Sequence, residues 1–201
     1  MSNVISLYSG CGSLDFGFKK AGFKTVLATD IWAKACDTIK HNKLSETVLN
    51  DDIRNIDFTF YKNQVEGVIG GPPCPPFSQS RHYLQGKKNG FEDEKAGFAV
   101  PEFFRAVKEI NPKFFLFENV DGFMYKTHRD ALNYLEEQSE ELGYNISFKV
   151  INAANYGVPQ TRKRFICVGI KKKYETFEFP KETHINPDKN DGNFSNWVTC
   201  G

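Results

Sequence analysis

Short apolar runs alternate along this chain with amphipathic stretches of helical length, and that alternation is its first structural signal. Residues 4–8 read as a buried strand, followed by a glycine-bearing turn over 9–13 and a helix over 14–21 that Gly22 ends. A second strand is predicted over 24–29, a helix over 31–42, and short strands over 47–49 and 65–69. Residues 78–97 are polar, with Gly86, Gly90 and Gly97 spaced through them, which is the composition of a functional loop or a disordered one. A helix follows over 98–110, where Pro101 is tolerated because it falls in the first turn. Residues 113–117 form a strongly apolar strand, 130–142 a helix, 145–151 a strand, and 165–170 the last clear strand. Strands alternating with helices predict a parallel, doubly wound α/β sheet. Beyond Lys171 the pattern fades. Residues 180–201 are polar, rich in Asn and Asp, and end without a closing element, as expected of a chain cut off rather than finished.

Composition narrows the class. With 201 residues, 40% hydrophobic and 25% charged, the chain is sized and composed for one globular domain. No apolar run is long enough to span a bilayer, and no basic-then-apolar leader opens the sequence, so a cytoplasmic protein without a membrane partner is expected. Five cysteines, an odd number without CxxC spacing, argue against a disulfide framework and against zinc. His41, His82, His128 and His184 show no metal spacing either, so no metal is expected. A net charge of +1 leaves a nucleic-acid partner open, because a basic footprint can be local. Two such runs exist, Arg162-Lys163-Arg164 and Lys171-Lys172-Lys173, of which the second reads better as a solvated face. The aromatic residues are mostly phenylalanine and are assigned to core packing.

Four segments carry chemistry. In Gly70-Gly71-Pro72-Pro73-Cys74-Pro75-Pro76-Phe77-Ser78, proline pairs stiffen the backbone on both sides of a cysteine that follows a strand. Such a thiol is either a nucleophile on a rigid turn or a buried structural cysteine. Tyr8-Ser9-Gly10-Cys11-Gly12-Ser13 leaves the first strand and enters a helix, a turn that lets backbone approach a ligand. It does not fit GxGxxG, which lowers a dinucleotide reading. Asp30, at the end of the second strand, is placed to accept from ribose hydroxyls. Asp52 is either an acceptor for an adenine amino group or a solvated turn aspartate. Leu116-Phe117-Glu118-Asn119-Val120 ends an apolar strand in a carboxylate, and Asn155 through Arg164 (Asn-Tyr-Gly-Val-Pro-Gln-Thr-Arg-Lys-Arg) places two arginines before another strand. Taken singly, Glu118 could cap a turn and the arginines could be surface charges on a hairpin. The coincidence of all four segments favours a site.

In this order and approximate spacing the four segments resemble the cytosine-5 DNA methyltransferases of bacterial restriction–modification systems, over residues 5–170. The resemblance implies a Rossmann-like, S-adenosylmethionine-dependent fold, a doubly wound, mostly parallel sheet with a terminal antiparallel strand. It implies a catalytic domain over 1–171 and, over 172–201, a linker toward a missing target-recognition domain, with room for a second subunit that carries it. Position by position, Tyr8, Gly10, Gly12, Asp30, Ile31, Asp52, Ile53 and Pro73 fall at the cofactor. Cys74 falls at the nucleophile, Glu118 at the carboxylate facing the base edge, and Arg162 and Arg164 at the arginines near the flipped cytosine. Ser78, Ser80 and Gln160 fall at DNA contacts. The chain departs from the family pattern in three places. Ser13 stands where a second glycine is usual, Pro75 replaces a glutamine and its donor, and nothing after Thr199 supplies a recognition region.

The implied reaction explains these residue types. Carbon 5 of cytosine is a poor nucleophile until a thiolate adds to carbon 6, after which it can take the sulfonium methyl. A protonated Glu118 would donate toward N3 during addition, and the arginines would favour the thiolate and anchor oxygens. The base must leave the stack to be reached, and the polar loop after Cys74 is placed to fold over the DNA. Duplex DNA is the expected substrate. The rivals are a methyltransferase acting on a tRNA cytosine, a fragment that binds cofactor without turnover, and, distantly, a nicotinamide oxidoreductase.

Overall fold

A computed structural model describes residues 2–73, 97–125, 129–189 and 192–200. The chain runs β1 (Ser2–Leu7), α1 (Ser13–Lys20), β2 (Phe23–Asp30), α2 (Ala33–His41), β3 (Ser45–Asn50) and β4 (Gly67–Gly70). It continues through α3 (Ala99–Ile110), β5 (Phe114–Val120), α4 (Arg129–Glu141), β6 (Tyr144–Asn152) and β7 (Lys163–Lys171). Two short strands, β8 (His184–Ile185) and β9 (Ser195–Asn196), come last.

The seven longer strands form one sheet in the order β3-β2-β1-β4-β5-β7-β6. Strand β1 pairs in parallel with β2 and β4, β2 with β3, and β4 with β5. Strand β7 pairs antiparallel with both β5 and β6. The doubly wound, mostly parallel sheet expected from sequence is therefore present, closed by an antiparallel hairpin. Chain order reverses beside β1, so the carboxyl ends of β1, β2 and β4 open onto one crevice, the usual ligand position on such sheets.

The core explains the phenylalanine content. Phe103 and Phe104 of α3, Phe115 and Phe117 of β5, Phe123 and Phe165 are all at most 1% exposed. Their rings meet mostly edge to face, as between Phe103 and Phe117 at 5.3 Å between centroids. Two strand glycines make room for rings on neighbouring strands. A Cβ on Gly67 would lie 2.2 Å from the Phe114 ring, and one on Gly169 would lie 2.1 Å from that of Phe115.

Some boundaries differ from the sequence reading. Helix α2 starts at Ala33 rather than 31, because Ile31 and Trp32 sit on the exposed strand end. Strand β3 is longer than 47–49, being an edge strand paired along one side only. Strand β4 covers Gly67–Gly70 rather than 65–69, since Val65 is buried without joining the ladder. The strands β8 and β9 lie in the stretch expected to be featureless. The expected turn at Cys74, the polar loop after it, and the contacts assigned to Ser78 and Ser80 lie outside the described residues. No described helix is long and apolar enough to cross a membrane. Among the described residues no group of His, Cys, Asp or Glu could hold a metal ion.

Candidate functional site

The first part of the site is the turn where β1 ends. Tyr8 adopts a left-handed conformation, φ 52°, and its hydroxyl donates to the carbonyl of Ala99 at 2.8 Å. Burial, followed by the nearby Glu102 and Asp52 charges, pushes the Tyr8 phenol well above its ordinary range. Its side chain is thus a neutral strut between the turn and the start of α3. Ser9 clamps the turn to β2: its N–H donates to Thr29 O at 3.0 Å, and its Oγ accepts from Thr29 N at 3.2 Å. Gly10 has φ +53°, and a Cβ there would meet nothing within 4 Å, so this backbone faces open space. Gly12, φ +85°, caps the start of α1, and no side chain caps that helix end among the described residues.

Asp30 ends β2 with both carboxylate oxygens held by backbone. Gly10 N donates to Oδ2 and Trp32 N to Oδ1, each at 2.8 Å. Each oxygen keeps a lone pair for a further donor. Asn50 Nδ2 and Cys36 Sγ donate to the Asp30 carbonyl from β3 and α2, at 3.1 and 3.4 Å. Beside it, Ile31 is 70% exposed, an apolar side chain at the mouth of the crevice.

Asp52 opens a single 3-10 turn, Ile53–Asn55, and Arg54 grips it closely. Asp52 Oδ1 accepts from Arg54 N and Nε at 3.0 Å each, and Oδ2 from Nη2 at 2.5 Å. These bonds hold the Asp52 carboxyl below its ordinary range. The same guanidinium stacks 4.2 Å above the Phe98 ring. Arg105 of α3 then fastens the loop behind, donating to Ile53 O at 2.8 Å and Ile56 O at 3.1 Å. Sequence reasoning singled out Asp52 and Ile53 but missed Arg54 and Arg105. Their signal is three-dimensional, since Arg105 lies about fifty positions from the carbonyls it holds.

The second part gathers at the ends of β4 and β5. Half-buried Glu118 sits on β5, where its Oε1 takes Arg164 Nε at 2.9 Å and has Arg162 Nη2 at 3.9 Å. Pairing explains the contact: Glu118 opposes Ile166 and Val120 opposes Arg164, so Glu118 and Arg164 are diagonal neighbours on one face. The exit of β4 passes directly over this carboxylate, since a Cβ on Gly71 would lie 3.0 Å from Glu118 Oε2. Asn119, 1% exposed, secures the approach by donating to Pro72 O at 3.4 Å. Pro73 follows, half-buried. The described residues thus bring together Glu118, Arg162, Arg164 and the segment that leads into Cys74. Gln160 sits exposed on the β6–β7 connection, its N–H donating to Val158 O at 2.7 Å. Of the other cysteines, Cys36 and Cys167 are buried and Cys11 and Cys200 exposed, all as free thiols.

Comparison with known proteins decides the family. A family model described as C-5 cytosine-specific DNA methylase matches residues 2–197. The chain belongs to this family. It is 38% identical over 187 residues to the type II methyltransferase M.NgoPII of Neisseria gonorrhoeae, covering 90% of this chain and 52% of that protein. It is 37% identical over 196 residues to M.AquIA of Picosynechococcus, covering 90% of this chain and 76% of that one. The chain spans about half the length of several curated relatives it matches. Among solved structures, a DNMT2 variant from Spodoptera frugiperda superposes with a TM-score of 0.71 at 25% identity, covering 90% of this chain and 56% of that one. A protein crystallised as a candidate DNA modification methyltransferase from an Escherichia coli prophage gives 0.70 at 29% identity, covering 86% and 47%.

Proposed function

We propose that this chain is the cofactor-binding and catalytic portion of a cytoplasmic restriction–modification enzyme that methylates carbon 5 of cytosine in duplex DNA. S-adenosylmethionine is the donor. In this reading residues 1–171 form the catalytic domain, 172–201 lead toward a target-recognition region, and a second subunit is one way to supply that region.

The crevice residues fit the donor chemically. Gly10 presents open backbone, Asp30 keeps lone pairs for ribose hydroxyls, and exposed Ile31 offers an apolar face for a purine. Tyr8, Gly12, Ile53 and Pro73 would complete the pocket, with Asp52 held at its edge by Arg54. When bound, the donor supplies an electrophilic methyl group on sulfur.

Everything else falls to the chain. Cys74 Sγ forms a bond to carbon 6, and the displaced electron pair moves toward N3, which takes a proton through the Glu118 carboxyl. Arg164 and Arg162 hold Glu118 in place, and in this reading their positive charge favours the thiolate. Carbon 5 then bonds to the methyl group as the donor's methyl–sulfur bond breaks, and N3 returns its proton to Glu118. The carbon-5 proton leaves to a base as its electron pair reforms the ring double bond, and the bond from Cys74 Sγ to carbon 6 breaks to return the thiolate. Ser78, Ser80 and Gln160 are assigned to DNA contacts.

The observation that carries this reading is the meeting of Glu118, Arg164 and the β4 exit in one place. It is tested by incubating the chain, alone and with the C-terminal half of a related enzyme, with labelled donor and either duplex DNA or tRNA. Label in DNA supports the reading. Label in tRNA alone moves the substrate to RNA, and no label in either mixture removes the catalytic claim.

A further inference from the structure

The polar segment after residue 180 folds back onto the connection between β6 and β7, the loop that carries Arg162 and leads into Arg164 near the start of β7. Its contacts concentrate on one turn, Ala153–Tyr156. Thr183 N donates to Asn155 O at 3.0 Å, and the indole Nε1 of Trp197 donates to Asn155 Oδ1 at 2.9 Å. Tyr156 donates through its hydroxyl to Pro180 O at 3.2 Å, and Cys200 Sγ to Pro159 O at 3.4 Å. The His184 imidazole lies against Gly157, where a Cβ would be 2.9 Å from His184 Cε1. Strands β8 and β9 hold this segment together: Ser195 N donates to Thr183 O at 3.1 Å and Trp197 N to Ile185 O at 3.0 Å.

The start of the same turn holds the backbone of Arg162. Asn152 Oδ1 accepts from Arg162 N at 3.0 Å, and Ala153 N donates to Arg162 O at 3.0 Å. Within residues 153–162 only Ala154 is buried. With so little burial, the loop is closed by hydrogen bonds alone. Some are its own, such as Gly157 N to Ala154 O at 3.2 Å and Val158 N to Ala153 O at 3.3 Å, and the others it shares with the segment after residue 180.

We propose that Asn155, Gly157, His184 and Trp197 are positioning residues, through which the stretches 180–189 and 192–200 brace the loop that sets Arg162 beside Glu118 and Arg164. The consequence for catalysis rests on the function proposed above, whereas the brace itself does not. Both are tested in the full chain with Trp197→Phe, which removes the indole N–H along with its five-membered ring, and Asn155→Ala, which removes the acceptor and keeps Trp197. Hydrogen exchange is read over 157–164, with 5–12 as control, beside binding of S-adenosylhomocysteine. Each variant should speed exchange over 157–162 about fivefold, the effect of one neutral hydrogen bond on an opening equilibrium. Exchange over 5–12 and binding of the probe should stay unchanged, and the KM for duplex DNA should rise while that for the methyl donor holds. Faster exchange confined to 183–200 would overturn the brace, and so would a uniform rise that includes 5–12. A loosened loop with unchanged kcat and KM for DNA would overturn the positioning role. A wild-type chain that transfers no methyl even with the C-terminal half of a related enzyme contradicts the proposed function, while the exchange comparison still decides the brace.

Discussion

Replacing Arg105 by methionine should destabilise the protein by about 3 kcal/mol, a loss built from four contacts. The guanidinium donates to Glu102 Oε2 at 2.7 Å, Glu109 Oε1 at 2.8 Å, and the carbonyls of Ile53 and Ile56 at 2.8 and 3.1 Å. The two carboxylates lie one helical turn away on α3 and are partly solvated, so each pair contributes only about 0.5 kcal/mol. The two carbonyls are different. Ile56 O accepts from a charged donor, a bond worth about 1.5 kcal/mol, whereas Ile53 O also takes Ile56 N at 3.2 Å, so its bond to Arg105 is worth about 0.5 kcal/mol. Methionine keeps most of the apolar stem and loses the fork. Arg105→Lys should fall between, because one ammonium cannot reproduce four separate directions. Urea unfolding measures the loss, and a shift of roughly 6–12 °C in Tm should accompany it in a chain of this size. Because Arg105 holds the loop that carries Ile53, binding of S-adenosylhomocysteine should weaken as well. A loss under about 1 kcal/mol, which surface pairs alone would give, would refute the reasoning.

Gly70→Ala should cost about 2 kcal/mol or more, because its Cβ would lie 2.8 Å from the Leu7 carbonyl, a backbone atom on the paired strand that cannot swing aside; denaturant titration measures this. Asp15 is fully buried, accepts from Ser6 Oγ at 3.0 Å, and leaves Oδ1 without a partner among the described residues. Burial pushes its carboxyl above the ordinary range, so the native state binds more protons than the unfolded one, and stability falls as pH rises through that interval. Asp15→Asn should match wild type below about pH 4, where both forms are neutral, and be the more stable at pH 7; the opposite ordering in unfolding curves would mean that the charged form is the favoured one. Arg164→Met should lower single-turnover methyl transfer about a hundredfold by freeing Glu118, with binding of S-adenosylhomocysteine unchanged; near-normal turnover would remove the ion pair from the mechanism.

Much of this fold was legible because its signals are local. Gly10, Asp30 and Glu118 each close an apolar run, and the strand-then-turn pattern placed them at the carboxyl ends of strands before any contact was known. The antiparallel hairpin was less visible, since strand direction depends on which neighbour a strand finds rather than on its own pattern. Arg54, Arg105 and Asn119 were missed as site residues for a related reason. A guanidinium bound to carbonyls fifty residues away, or an amide tied to Pro72 O, leaves no periodic trace. The segment past 180 is the extreme case. It is held by main-chain bonds and by single contacts such as Trp197 Nε1 to Asn155 Oδ1, in a stretch without hydrophobic periodicity.

The central claim is that Cys74 attacks cytosine in DNA, and covalent trapping tests it most directly. Duplex DNA carrying 5-fluorocytosine has fluorine in place of the carbon-5 proton, and fluorine cannot leave without its electron pair, so a chain that has added its thiol and transferred the methyl should stay bonded to the strand. Supplied with S-adenosylmethionine and a C-terminal half, wild-type chain should give a denaturant-stable adduct whose peptide map ends at Cys74, and Cys74→Ser should give none. An adduct undiminished in Cys74→Ser, or one formed only with tRNA, would contradict the account.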